Sequence, residues 1–188
     1  MLKDLVLKSR SYRRFDQFHP IDRQTLLDLV ELARLSPTGA NKQPLKFYLS
    51  NAPEENLKIF GTLSWAGYLK DWRPQLGEQP SAYIVILGDK RIKENFGVDH
   101  GIAAQSIMLG AVEKGLGGCM IASISKEALR LLLALPSYYE ILLVLALGKP
   151  VEKVILEDLG QEGDIRYYRD AEGVHHVPKR SLDTLVIN

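Results

Sequence analysis

A chain of 188 residues with 46% hydrophobic and 25% charged residues can bury a sizeable core, and residues 1–188 read as one domain. A formal net charge of +1 gives no general pull toward nucleic acid or an anionic membrane, so any basic site must be local. The single cysteine, Cys119, excludes an internal disulfide and a cysteine metal cluster and fits a reducing compartment; with no bilayer-length apolar run and no signal peptide pattern in Met1 to Lys8, a cytoplasmic location is expected.

In chain order, Leu2 to Lys8 is expected as a short helix with Leu2, Leu5 and Val6 as its apolar positions, broken by Arg10-Ser11-Tyr12-Arg13-Arg14-Phe15. Asp22 is a good N-cap for a helix to about Leu35, with Leu26, Leu29, Val30 and Ala33 on one face and Pro37 beyond its end. Leu45 to Ser50 is a strand, Glu54 to about Leu63 a helix, and Trp65 to Pro80 an irregular aromatic segment. Ala82 to Leu87 is a buried strand rich in β-branched residues. The helix from Asp99 or His100 to Lys114 carries Gly101, Ala103, Ala104, Gly110 and Ala111, small enough to let another backbone pack closely. Gly115 to Ile121 is a glycine-rich turn entering a short strand, Lys126 to Leu135 a helix closed by Pro136, and Ile141 to Leu147 a second buried strand ended by Gly148. The polar tail after Pro150 finishes in an apolar segment, Leu182 to Ile187. This mixture implies a three-layer α/β or α+β arrangement.

Arg10, Ser11, Arg13 and Arg14 put three guanidinium groups and a hydroxyl within five residues. Paired N–H donors of that kind suit a phosphomonoester, against the alternative of a solvated basic turn. Ser36 to Pro44 concentrates turn formers and two amides, Asn41 and Gln43, each with one acceptor and two donors for the edge of a heterocycle. The alternative is a helix-to-strand loop with structural Asx bonds. The Gly115 to Ile121 turn lets backbone approach a flat ligand, but it runs from helix to strand, the reverse of the Rossmann order, and lacks the Walker ending. Gly115 also reads as a helix C-cap. Lys179-Arg180 could close on the same phosphate as the arginine turn; in isolation it is an exposed basic tail. No HExxH or GxSxG pattern is present. His175-His176 reads as a surface strand pair rather than a metal site, Asp99-His100 as a helix cap, and Cys119 as a small core residue; no metal is expected.

Taken together, the order is R-S-x-R-x-F, a helix, S-P-[ST]-x-x-N-x-Q-P, a D-x-G-x-A-x-Q-x-x-x-L-x-A helix ending in G-L-G, and a late basic pair. Here these are Arg10 to Phe15, Ser36 to Pro44, Asp99 to Ala111 with Gly115-Leu116-Gly117, and Lys179-Arg180. Almost end to end, this resembles the FMN-dependent nitroreductase family. The resemblance implies an α+β three-layer sandwich with a central, mostly antiparallel sheet flanked by helices. It implies a homodimer with FMN at the interface, the C-terminal segment Leu182 to Ile187 adding a strand to the partner's sheet, and NAD(P)H as reductant. The acceptor would be a small molecule of nitroaromatic or quinone type. Chemistry would be flavin-centred, with no catalytic side chain required. The implied FMN-binding residues are Arg10, Ser11, Tyr12, Arg13, Arg14, Pro37, Thr38, Gly39, Asn41, Gln43, Met120, Ile121, Lys179 and Arg180. Arg10 and Ser11 would hold the phosphate, with Lys179 or Arg180 closing on it. Arg13 would lie at the flavin N1/O2 edge, stabilising the charge that hydride arrival at N5 leaves. Pro37, Thr38, Asn41 and Gln43 would reach in from the other subunit, and Met120 and Ile121 would lie along the ring.

The chain departs from the family pattern at Leu45, where many relatives carry tryptophan, at Ala122-Ser123 in place of an acidic-glycine pair, and in its short length. Trp65 to Trp72 could cover the flavin instead. Other FMN reactions (dehalogenation, azoline oxidation), a non-catalytic FMN-binding protein and a phosphate-ligand module without flavin remain the competing functions.

Overall fold

The computed structural model describes residues 1–69, 72–159 and 163–188. Its organising element is β3 (Ala82–Asp89), an apolar run buried along its whole length. Successive side chains of a strand point to opposite faces, so one strand feeds two cores. Ala82, Ile84 and Ile86 pack with Leu145 and Leu147 against α2 (Arg23–Leu35) and α4 (Asp99–Glu113). Tyr83, Val85 and Leu87 pack with Val144 and Ala146 against α3 (Pro53–Phe60) and α5 (Lys126–Leu132). Each fully buried large apolar side chain contributes about 1.5–3 kcal/mol to this arrangement. The outcome is helices, sheet, helices: an α+β three-layer sandwich.

The main sheet is antiparallel throughout. β2 (Leu45–Ser50) pairs one edge of β3 and β5 (Tyr139–Pro150) the other. Along the far edge of β5 lie β4 (Gly117–Ile121) and then the short β1 (Phe15–Asp16). β5 therefore continues past Gly148, where the sequence suggested an end. Glycine there makes room for Phe15, whose ring lies 2.7 Å from where a Cβ would sit. α1 (Leu2–Lys8) precedes the arginine turn.

Helix ends follow local chemistry. Asp22 caps α2 by accepting the Thr25 N–H at 2.6 Å. Gly115, at φ 73°, closes α4 in the left-handed conformation that glycine favours. α5 stops at Leu132, short of the expected Leu135, because Ala134 turns left-handed at φ 48°. α3 ends at Phe60 rather than near Leu63. Asp99 is the first residue of α4 rather than its cap, which is Val98.

Beyond Pro150 the chain builds a second small sheet, not anticipated from sequence. β6 (Val154–Asp158) pairs in parallel with β8 (His175–Lys179), and β7 (Tyr168–Arg169) pairs antiparallel with β8. Leu182–Thr184 form a 3₁₀ turn, and Leu182, Leu185, Val186 and Ile187 are exposed in the single chain. Among the described residues, no helix is long and apolar enough to cross a membrane.

Candidate functional site

The arginine turn is laid against β4. The Tyr12 N–H donates to the Gly118 carbonyl at 2.9 Å, and Ser11 forms a parallel bridge to Gly118. The glycines make that approach possible. A Cβ on Gly117 would meet the Tyr12 ring at 2.6 Å, and one on Gly118 would meet the Ala146 carbonyl oxygen at 2.3 Å. The glycine-rich stretch thus serves close backbone packing beside the site.

Between this turn, β4, α4 and the small sheet lies a cleft of about 340 Å³. Arg10, Ser11, Arg13, Gln105, Met120, Tyr167, His175 and Lys179 are among its lining residues. Among the described residues, no carboxylate lies within ion-pair distance of Arg10, Arg13 or Lys179. Arg10 spends one Nη2 hydrogen bond on the Val6 carbonyl at 2.6 Å, and its buried Nε has no partner among the described residues. Three uncompensated cations with an orphaned donor make a site for an anion with several acceptor oxygens.

Glu152, missed in the sequence, holds the turn in place. Its side chain is fully buried and accepts the backbone N–H groups of both Arg13 and Arg14, the latter at 3.1 Å, and an Arg169 guanidinium N–H at 2.7 Å. Arg169 in turn lies over the Trp72 ring, 4.0 Å from its centroid. Glu152 thus gives its ion pair to Arg169, and the Arg13 guanidinium has no carboxylate partner among the described residues. Arg13 Nη1 donates to the Ser11 carbonyl at 3.2 Å and lies 3.3 Å from His175 Nε2, and its Cζ sits 4.6 Å from the Tyr167 ring centroid. Burial, then the Arg13 charge, hold the His175 imidazole neutral down to about pH 4.

A side chamber of about 150 Å³ opens beyond Arg13, Met120 and Tyr167. Ser64 to Gly67 and Cys119 to Ser123 complete it. From the expected covering segment, Trp65 borders this chamber, Tyr68 stands edge-on to Tyr167 with centroids 5.0 Å apart, and Lys70 and Asp71 lie outside the described residues. Burial pushes the Cys119 thiol up from its ordinary value, in keeping with a core residue.

Ile121 borders the side chamber. Tyr12 packs its ring on Gly117 and donates its hydroxyl to the Lys8 carbonyl at 3.1 Å. Arg14 points its guanidinium at Glu78, with Nε and Nη2 at 2.9 and 2.5 Å from Oε1, which holds that carboxyl below its usual range. Arg180 is exposed and lies outside the cleft lining, whereas Lys179 is part of it.

Pro37, Thr38, Gly39, Asn41 and Gln43 do not line this cleft; Thr38 and Gln43 border a separate groove of about 850 Å³ along α2 and β2, as does Leu45. Their loop is nonetheless fixed. Asp99, almost wholly buried and paired with Lys93 at 3.3 Å, accepts the Gly39 N–H at 2.9 Å. Ser36 Oγ meets Ser106 Oγ at 2.7 Å. Ala40, Asn41 and Gln43 all have φ between 51° and 53°, the left-handed region that non-glycine residues enter at a cost of about 1–2 kcal/mol each. Such conformations persist only where surrounding contacts enforce them, and they concentrate at binding sites.

His175 and His176 lie on a strand, as the sequence suggested, but His175 is buried rather than on the surface. Among the described residues, no cluster of three or more His, Cys, Asp or Glu could hold a metal. The available signal for the missed residues was strand alternation: His175, Val177 and Lys179 share the cleft-facing side of β8.

The model of the nitroreductase family matches residues 6–149. YodC of Bacillus subtilis (strain 168), whose name places it among NAD(P)H nitroreductases, is 22% identical over 182 aligned residues, covering 78% of this chain and 89% of its own. The structure of an FMN-dependent nitroreductase from Clostridium difficile R20291 is similar with a TM-score of 0.66 at 23% identity, covering 79% of this chain and 87% of the other. A nitroreductase family protein from Streptococcus pneumoniae TIGR4 superposes over 100% of both chains with a TM-score of 0.74 at 14% identity.

Proposed function

The chain belongs to the nitroreductase family, and on that premise we propose that it is an FMN-dependent oxidoreductase drawing on NAD(P)H and serving a small acceptor of nitroaromatic or quinone type. It acts as a cytoplasmic homodimer of single-domain chains. The observation that carries this reading is the cleft with three cations and no acid partner among the described residues. The donor set fits FMN: an orphaned arginine Nε and a lysine for a phosphate, and a separate guanidinium held by neutral groups beside an apolar strand.

When bound, FMN supplies the hydride and electron chemistry at its ring system. The protein's residues do the rest. Arg10, Ser11 and Lys179 hold the phosphate. Arg13 would serve the pyrimidine edge, and its cation would favour the negative charge of the reduced ring system. Met120, which lines the cleft, and Ile121, which borders the side chamber, would flank the ring. The loop Pro37 to Gln43, exposed here and pre-shaped by Asp99, completes the site of the partner subunit. The apolar segment Leu182 to Ile187 adds to the partner's sheet, which covers side chains that are exposed in a lone chain.

The test is direct. Purified protein should bind FMN and turn yellow, and NADH or NADPH should bleach it without oxygen. Arg10→Ala should weaken FMN binding about tenfold or more, since a charge-assisted hydrogen bond contributes about 1.5–3 kcal/mol. Arg13→Ala should slow reduction more than it weakens binding. A colourless protein that takes up no FMN would sink the reading.

A further inference from the structure

We propose that His175 is the positioning residue for Arg13: as a neutral hydrogen-bond acceptor it aims that guanidinium into the cleft without cancelling its charge. The inference rests on the proposed FMN site and assigns a role there to a segment beyond the residues that the family model matches. A guanidinium has only donors, so His175 Nε2, 3.3 Å from Arg13 Nη1, must accept and the ring proton must sit on Nδ1. Nδ1 is buried and has no partner among the described residues, so nothing else there selects the tautomer.

The choice of residue matters electrostatically. A carboxylate at this position would grip Arg13 more strongly and neutralise it; a neutral imidazole holds the head group and leaves the positive charge for a ligand. Of the charged and titratable groups facing His175, Arg13 from the arginine turn, Arg169 and His176 on the same strand favour the neutral ring, whereas Glu152, itself paired with Arg169, opposes them and is outweighed by burial and Arg13. Tyr167 completes the clamp. Its ring lies under Arg13 with centroid distance 4.6 Å and beside the His175 ring at 5.2 Å, and it is braced edge-on by Tyr68. The side chain of Arg13 is thereby confined by three uncharged contacts: a carbonyl, an imidazole nitrogen and an aromatic face.

The experiment measures FMN affinity and the two-electron midpoint potential of bound FMN in the full-length protein. His175→Phe keeps a ring and loses the acceptor; His175→Gln keeps an acceptor oxygen. The expected result for His175→Phe is a tenfold loss in preference for reduced over oxidised FMN, a fall of about 30 mV for a two-electron couple, with oxidised FMN still bound. His175→Gln should recover most of that fall. If His175→Phe does not fold, His175→Leu takes its place in the same comparison. An unchanged potential in the acceptor-less variant overturns the inference, and so does an equal fall in the Gln variant, which would mark a packing role. Failure of the wild-type protein to bind FMN is a different result: it overturns the proposed function and this inference with it.

Discussion

Replacing Glu152 with alanine strikes the joint on which the cleft hangs. The carboxylate is fully buried and serves three donors: the N–H groups of Arg13 and Arg14 and the guanidinium of Arg169, whose side chain is only 14% exposed. Alanine leaves a largely buried cation and two main-chain donors without their acceptor. Breaking a buried ion pair by removing one partner costs about 3–5 kcal/mol. Each unsatisfied donor costs about 1–3 kcal/mol, but these describe the same lost carboxylate and overlap with the first figure. A loss of about 3–5 kcal/mol is therefore expected, a large part of the ~5–15 kcal/mol that holds a typical domain together. Glu152→Gln retains an oxygen for the main-chain donors and turns an amide nitrogen toward Arg169, so about 1–3 kcal/mol should go. Urea unfolding at neutral pH without added FMN reads both. A double-mutant cycle with Arg169→Gln should return a coupling of about 0.5–3 kcal/mol. A loss under about 1 kcal/mol for Glu152→Ala, or an equal loss for Ala and Gln, would refute the reasoning.

Gly118→Ala should destabilise by about 1–3 kcal/mol or more, because the added Cβ would meet backbone, the Ala146 carbonyl oxygen, at 2.3 Å; thermal melting of the variant checks this, and a wild-type melting temperature would count against it. His176 is held by Asp170 at 2.9 Å and Glu157 at 2.5 Å, and the hydrogen bond to Asp170, ahead of that to Glu157, raises its pKa above the ordinary 6.5. A raised folded-state value stabilises fully below the unfolded value of 6.5 and fades as pH climbs through the folded one. Melting temperature should therefore fall above pH 6.5 in the wild type, with a smaller fall in His176→Gln; parallel curves would remove the clamp.

Much of this was legible because it is local. The Arg10 to Phe15 turn, the Asp22 cap, the left-handed Gly115 and the β3 run each express a preference of a few consecutive residues. The loop Ser36 to Pro44 was legible as a turn-rich connection between α2 and β2 but not as a strained structure, because its three positive φ angles are enforced by Asp99 and Ser106 from another helix. Glu152, Tyr167 and His175 were illegible for the same reason carried further. Glu152 meets Arg13 across 139 residues and His175 across 162. A glutamate after a strand and a His-His pair in a polar tail carry no local mark of such partners. Only the alternation of His175, Val177 and Lys179 on β8 hinted that one side of the tail faces inward.

The separation between Arg13 and His175 also sets an order of events. At a synthesis rate of about 5–20 residues per second, Arg13 exists for roughly ten to thirty seconds before His175 is made. Every strand of the main sheet is synthesised in that interval, ahead of the small sheet. The cleft is thus a late-closing clasp, fastened by the tail onto the head of the polypeptide. Under the proposed function, a nascent or clipped chain with a sound sheet but no tail would lack the wall that grips Arg13 and would hold FMN poorly.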